Sequence, residues 1–597
     1  MRAIPFTKVT LGSGFVRSKK ELNERVTLNA VYDRFDESGR FRAFDFTWKE
    51  GDPEIPHFFW DSDVAKWMEG AAYALADHPD EALKTRVDTL IDKIIAHQCE
   101  DGYFNIHFTV VEPEKRFTNR DWHELYCAGH LMEAAVAYAE ATGDERFLKA
   151  MEKYALLIKK VFIDEKSAPF HTPGHEEIEL ALFRLYRYTG DKTYLDMGMY
   201  FLNARGTYDD ERIDYNQSHK PVREQREAAG HAVRAMYLYA AMADGAKETG
   251  DEALKAACKA LFDDVTKRKM YVTGGIGSCA YGEAFSKPFD LPNAEAYTET
   301  CAGIGLLFFA ERMLALENNA AYADAIERVF YNGVLSGLSA DGRAFFYENP
   351  LEITMQDHFA TMYGAKRYPI TQRVAVFFCS CCPPNLNRLL PTLAGYVFGV
   401  ENDTLFVNQY TACTLHDGDL SAEMSTAYPN DGRITVTTKG TKALALRIPA
   451  WCAAFTLDKP YTLRDGYAYV ENDGTPVTLT LDVTPQAIRA NVAVSRDAGR
   501  ICIMAGPIVY CAESVDNGEN LHAISVSPDF TWKTHYAASL GLNTLQISAF
   551  RTSSDDSLYA RVKGQDETTE PITLKLLPYC YFANRGESDM LVWFRRH

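Results

Sequence analysis

One arrangement occurs three times in this chain: a histidine, an apolar helical stretch, the tripeptide Thr-Gly-Asp, and a second helical stretch. It runs from His130 through Thr142-Gly143-Asp144 to Phe162, from His175 through Thr189-Gly190-Asp191, and from His231 through Thr249-Gly250-Asp251. Glycine suits the left-handed residue that ends a helix and aspartate the cap of the next, so each unit predicts a helical hairpin. Hairpins without the tripeptide are read at 63–97 and 297–331. A further helix follows Pro383-Pro384, where proline is tolerated in a first turn. Five or six such pairs closed into a ring make an (α/α)6 barrel; an open superhelix of stacked pairs is the alternative. In a ring, the inner helices deliver their N-terminal residues, His175 and His231 among them, to one mouth.

Beyond residue 400 the period changes. Thr404–Val407, Ala443–Arg447 and Val477–Leu481 lie in short β runs punctuated by Gly, Asp and Pro. At 597 residues the chain is too long for one core. The expected division is a helical barrel over 1–400, a β-sandwich over 401–513 completed by 571–597, and a second small β module or insertion over 514–570. A net charge of −19 argues against nucleic acid or an anionic membrane as partner and accommodates a neutral ligand. No run of roughly 18 apolar residues predicts a membrane span. The first residues, Met1-Arg2-Ala3-Ile4-Pro5-Phe6, do not read as a secretory signal. Thirteen cysteines then read as reduced thiols, and the expected location is cytoplasmic.

Two thiols are adjacent, Cys381 and Cys382, within Phe377-Phe378-Cys379-Ser380-Cys381-Cys382-Pro383-Pro384-Asn385, and Glu299-Thr300-Cys301 lies upstream. One carboxylate and three thiols suffice for a tetrahedral zinc site; small buried hydrophobes are the plainer reading of the cysteines alone. Glu283 follows the glycine-rich Thr273-Gly274-Gly275-Ile276-Gly277, which lacks the ending of a phosphate loop and is read as backbone running close to a substrate. Glu283 is a candidate general acid/base, against the ordinary role of a solvated glutamate. His123, His175 and His231 each stand at a helix start, and three in equivalent places favour one cavity wall that could serve sugar hydroxyls. Tyr347 can add a phenolic donor or be a half-buried strand aromatic.

Asp61-Ser62-Asp63-Val64-Ala65-Lys66-Trp67, His123-Glu124-Leu125-Tyr126 with Gly129-His130-Leu131, Leu291-Pro292-Asn293, Glu299-Thr300-Cys301 and Cys381-Cys382-Pro383-Pro384-Asn385 resemble glycoside hydrolase family 127, the β-L-arabinofuranosidases. The similarity runs from about residue 8 to Pro578-Tyr579; family 146 shares the cysteine pair and is the near alternative. The resemblance implies an (α/α)6 catalytic barrel followed by β-sandwich modules. It implies Cys381 as nucleophile, Glu283 as acid/base, and Glu299, Cys301, Cys381 and Cys382 as ligands of Zn2+. It places His123, His175, His231 and Tyr347 on the substrate, a small glycoside or oligosaccharide, and allows a homodimer. Three competing readings remain. They are the same machinery acting on another furanose-like sugar; Glu283 and Glu299 as a conventional carboxylate pair, with zinc purely structural; and a non-catalytic carbohydrate binder stabilised by a zinc site.

Overall fold

A computed structural model describes residues 1–360, 368–554, 557–559 and 567–597. Each Thr-Gly-Asp unit is a hairpin corner. Gly143, Gly190 and Gly250 take the left-handed conformation at φ 76°, 72° and 69°. Asp191 accepts from the backbone N–H of Thr193, Asp251 from that of Leu254, and Asp144 from that of Arg146. These bonds satisfy donors that a helix start would otherwise leave open.

The helices are α1 (15–37, with a π turn at Asn23–Thr27), α2 (Trp60–Asp77), α3 (Glu81–His97), α4 (Glu124–Thr142), α5 (Arg146–Ile158), α6 (Ile178–Thr189), α7 (Lys192–Ala204), α8 (Ala232–Thr249), α9 (Glu252–Asp264), α10 (Thr300–Leu316), α11 (Ala320–Arg328) and α12 (Cys382–Leu389). The even-numbered helices touch in sequence, α2 to α4, α6, α8, α10 and α12, and α12 returns to α2, so the ring closes with six inner members. The odd-numbered helices lie outside it. The open superhelix is thereby excluded, and the fold is an (α/α)6 barrel followed by β-sheet domains. Outer α5 shows why it stays outside: Phe147, Leu148, Met151, Tyr154, Ala155 and Ile158 form one apolar stripe, whereas α4 is buried from Glu124 to Ala139. The ring closes tightly because Gly70 of α2 carries no side chain; a Cβ there would lie 2.6 Å from the carbonyl oxygen of Asn387 in α12.

Two six-stranded sheets follow. One runs Arg2–Ala3, Phe398–Glu401, Thr404–Val407, Ala443–Arg447, Tyr467–Glu471, Thr462–Arg464. The other runs Phe455–Leu457, Val477–Leu481, Arg433–Lys439, Leu420–Thr426, Cys413–Asp417, Val9–Leu11. Alternating burial, as at Ile434, Val436 and Thr438, gives each sheet an inward face. The third sheet takes the strands from Pro485 onward and Glu352–Ile353. Within it, pairing of Arg500–Ala505 with Ile508–Glu513 closes a small barrel through Phe594–Arg596, Ile524–Val526, Leu542–Ser554 and Glu567–Pro578. Residues 555–556 and 560–566 of the 514–570 segment lie outside the described residues. No helix among the described residues is long and apolar enough to cross a membrane.

Candidate active site

All six inner helices start at the same mouth, and a 220 Å³ cavity lies there. His123, His175, His231, Glu283, Glu299, Cys301, Tyr347 and Cys381 line it, and Cys382 is fully buried beside Cys301 and Cys381. Every residue nominated from the sequence therefore meets in one place. Six helix N-termini point their positive dipole ends at this mouth, an environment that favours anions.

Glu299 caps α10 and Cys301 is that helix's second residue; Cys381 caps α12 and Cys382 is its first. Two helix starts thus supply four donors. The sulfur separations are 3.5 Å (Cys301–Cys381), 3.3 Å (Cys301–Cys382) and 3.8 Å (Cys381–Cys382), and Glu299 Oε1 lies 3.6 Å from Cys381 Sγ and 3.8 Å from Cys382 Sγ. A tetrahedron with zinc–sulfur bonds of about 2.3 Å requires sulfurs about 3.8 Å apart, so the residues fit a tetrahedral metal ion. Glu299 Oε2 is buried without a hydrogen-bond partner, as an oxygen beside a ligand position would be. Burial, aided by the charge at Cys381, pushes the Glu299 carboxyl well above its usual range, and burial likewise pushes Cys382 up. For Cys301 burial acts upward too, but hydrogen bonds from Cys381 and Cys382 bring the thiol down to about 6.

The histidines divide by tautomer. His231 caps α8: its Nδ1 accepts from the N–H groups of Val233 (3.1 Å) and Arg234 (3.4 Å), so Nε2 carries the proton and donates to Glu283 Oε2 at 2.6 Å. His123 and His175 use Nδ1–H on the carbonyls of Asp121 and Glu176, both at 2.9 Å, and so offer Nε2 as an acceptor. Burial holds both below the ordinary histidine range, His123 at about 3, which keeps the rings neutral. The second oxygen of Glu283 accepts from the Tyr297 hydroxyl at 2.7 Å. Burial alone would raise this carboxyl; the hydrogen bonds from His231 and Tyr297 and the charges of His231 and Arg234 together outweigh it, and the group rests ionised. Antiparallel bridges from Ala284 to His231 and Cys279 hold the Tyr281–Glu283 turn over the start of α8. His123 and Glu283 both have positive φ, 58° and 52°, a strained conformation that surrounding packing must enforce. Tyr347 is fixed where its carbonyl accepts from Thr300 N–H, placing its hydroxyl 3.6 Å from Cys381 Sγ.

Several participants escaped the sequence reading. Tyr126, Tyr215, Arg234, Phe58, Phe59 and Cys379 also line the cavity. Arg40 is buried, pairs with Asp63 at 3.0 Å, and donates to the carbonyls of Phe377 (3.3 Å) and Phe378 (2.9 Å), fastening the segment that leads to Cys381. Asp63 stood in a quoted motif; nothing in the chain marked Arg40 as its partner. The glycine-rich loop does not line the cavity. Its glycines allow close packing instead: a Cβ at Gly277 would fall 2.9 Å from that of Ala232, and one at Gly274 2.6 Å from the Val329 backbone. His130 also differs from its repeat counterparts. It lies deeper, fully buried, with Nδ1 3.1 Å from Glu177 Oε1.

Comparison with known proteins places this geometry. Residues 8–395 match the catalytic domain of the GH127 β-L-arabinofuranosidases, 404–483 the middle domain of that family, and 485–595 its C-terminal domain. A non-reducing end β-L-arabinofuranosidase of Bifidobacterium longum subsp. longum is 36% identical over 590 residues, covering 90% of this chain and 89% of the relative. The crystal structure of a GH127 β-L-arabinofuranosidase from Geobacillus stearothermophilus T6 superposes with a TM-score of 0.92 at 38% identity, over 99% of this chain and 100% of the other. A second GH127 β-arabinofuranosidase gives 0.89 at 34% identity, over 100% and 98%.

Proposed function

The chain belongs to glycoside hydrolase family 127, and on that premise we propose that it is a retaining exo-hydrolase that releases L-arabinofuranose from the non-reducing end of β-L-arabinofuranosides. The observation that carries the mechanism is the exposure of one thiol. Cys382 is fully buried and Cys301 reaches the cavity wall at only 1% exposure, while the half-buried Cys381 opens on the cavity that Glu283 also lines. The cavity has room for one sugar ring and little more, which suits release of a terminal residue.

Glu299, Cys301, Cys381 and Cys382 would hold zinc, the metal that a three-thiolate, one-carboxylate set selects. Bound there, zinc would keep the thiols deprotonated near neutral pH. His123 and His175, with acceptor nitrogens exposed to the cavity, take hydrogen bonds from sugar hydroxyls, and Tyr347 orients the ring beside Cys381. The Cys381 sulfur attacks the anomeric carbon as the glycosidic C–O bond breaks, and Glu283 gives its proton to the departing oxygen. Water then attacks the same carbon, the C–S bond breaks with its electron pair returning to sulfur, and Glu283 takes the proton of the water. Two inversions give retention. Because His231 and Tyr297 hold Glu283 ionised at rest, the acid form exists only when the site carries one further proton.

One observation favours a second reading. His231, Glu283 and Glu299 bring ligand atoms within 4.8 Å of one another, near the separation of about 5 Å that a nucleophile and acid/base carboxylate pair shows in retaining enzymes. The two readings predict different covalent products. A mechanism-based furanosyl electrophile should label Cys381, located by peptide mass spectrometry; a label on Glu299 with Cys381 unmodified would hand the reaction to the carboxylates.

A further inference from the structure

Lys66 is the outlier among the buried charges. It lies in the second turn of α2 at 1% exposure, and its Nζ has no hydrogen-bond partner. Burying an unpaired ammonium is costly unless a compensating charge is close. The carboxylates one turn away on its own helix are taken: Asp63 pairs with Arg40 at 3.0 Å, and Glu69 with Arg388 at 3.0 Å and Arg184 at 2.8 Å. Asp61 accepts from Ile106 N–H at 3.1 Å through Oδ1, and its Oδ2 is buried without a hydrogen bond to Lys66 or to any other group. Across the ring, Glu177 faces His130 at 3.1 Å. The contact Lys66 does make is with the face of Tyr126, 5.1 Å from Nζ to the ring centroid, and Tyr126 lines the cavity together with Cys301 and Cys381.

We infer that Lys66 is the counter-charge of the metal–thiolate centre, a positioning residue that sets how tightly the four ligands retain their cation. The inference rests on the metal reading above. Three thiolates and one carboxylate around a dication leave a net charge of about −2 in a largely buried site. Such a centre needs positive charge nearby, and helix N-termini supply only partial charges. Lys66 supplies a whole one, held over Tyr126 without a hydrogen bond that would bind it elsewhere.

The test compares zinc retention in wild type, Lys66→Met and Lys66→Arg by titration with a competing chelator, alongside the melting curve of each metal-stripped protein. Lys66→Met should hold zinc about 10- to 100-fold more weakly, the usual effect of losing a residue that supports ligands from behind. Its stripped form should melt no lower than stripped wild type, because an unpaired buried charge has been removed. Lys66→Arg should regain most of the affinity. Equal affinity in Lys66→Met and wild type overturns the inference, as does equal loss in the Met and Arg variants, which would assign the effect to packing. If the melting curve shows Lys66→Met unfolded, Lys66→Gln carries the same comparison. A wild type that retains no zinc removes the metal reading itself, whereas zinc-bound wild type with an unaffected Met variant removes only the role of Lys66.

Discussion

Tyr297 illustrates how much of the chemistry depends on single hydrogen atoms. With His231 Nε2–H it aims two donors at Glu283, and donors to a carboxylate favour the ionised form. Removing one should let the carboxyl pKa rise. In Tyr297→Phe the protonated acid then persists to higher pH, so the basic limb of the kcat/KM profile moves upward for a substrate with a poor leaving group. A limb that stays put, or moves down, would mean that Tyr297 does not govern the proton. The signal for this residue was absent from the sequence, where Tyr297 is one of 33 tyrosines, whereas Glu299, Cys301, Cys381 and Cys382 were legible because few other needs place two thiols side by side.

Between elements, the buried Arg40–Asp63 pair joins the start of α2 to the segment leading into α12. Arg40→Met should cost about 3–5 kcal/mol, since Asp63 at 1% exposure would be left unpaired. The double variant Arg40→Met, Asp63→Leu should recover most of the melting temperature but not kcat, because the Phe377 and Phe378 carbonyls would still lack their donor. Recovery of both would reduce the pair to a matter of stability. The Thr-Gly-Asp corners were readable because a left-handed glycine and a capping aspartate act on their immediate neighbours. Helix α1 was not: its π turn at Asn23–Thr27 shifts the helical phase, so the apolar residues of 15–22 and 28–37 do not fall on one regular stripe, and Lys19, Lys20 and Asn23 are buried among them. Its place as the sixth outer helix depends on α2 and α12, which the local pattern does not contain.

At the scale of the whole molecule, the helical ring gathers six N-termini from positions between Trp60 and Cys382. Lys66 became visible only there, since a lysine's neighbours across a barrel are not its neighbours along the chain. The strands before the ring pair with strands that follow it: Arg2 with Val400 in one six-stranded sheet and Val9 with Leu415 in the other. That pairing imposes an order in time. Because synthesis runs from N- to C-terminus, Arg2–Ala3 and Val9–Leu11 are made before the barrel helices and wait unpaired until Phe398–Glu401 and Cys413–Asp417 follow, so the two sheets are completed only after the barrel residues have been synthesised. A chain lacking residues 1–12 would leave Phe398–Glu401 and Cys413–Asp417 with open edges, which recruit other chains. Its expected fate is a lower soluble yield and aggregation on refolding; full yield with an unchanged melting temperature would show that the two strands are ornament to their sheets. These two early strands would then be among the last to find their partners, and a nascent chain interrupted in the barrel would carry two hydrogen-bonding edges with nothing yet synthesised to meet them.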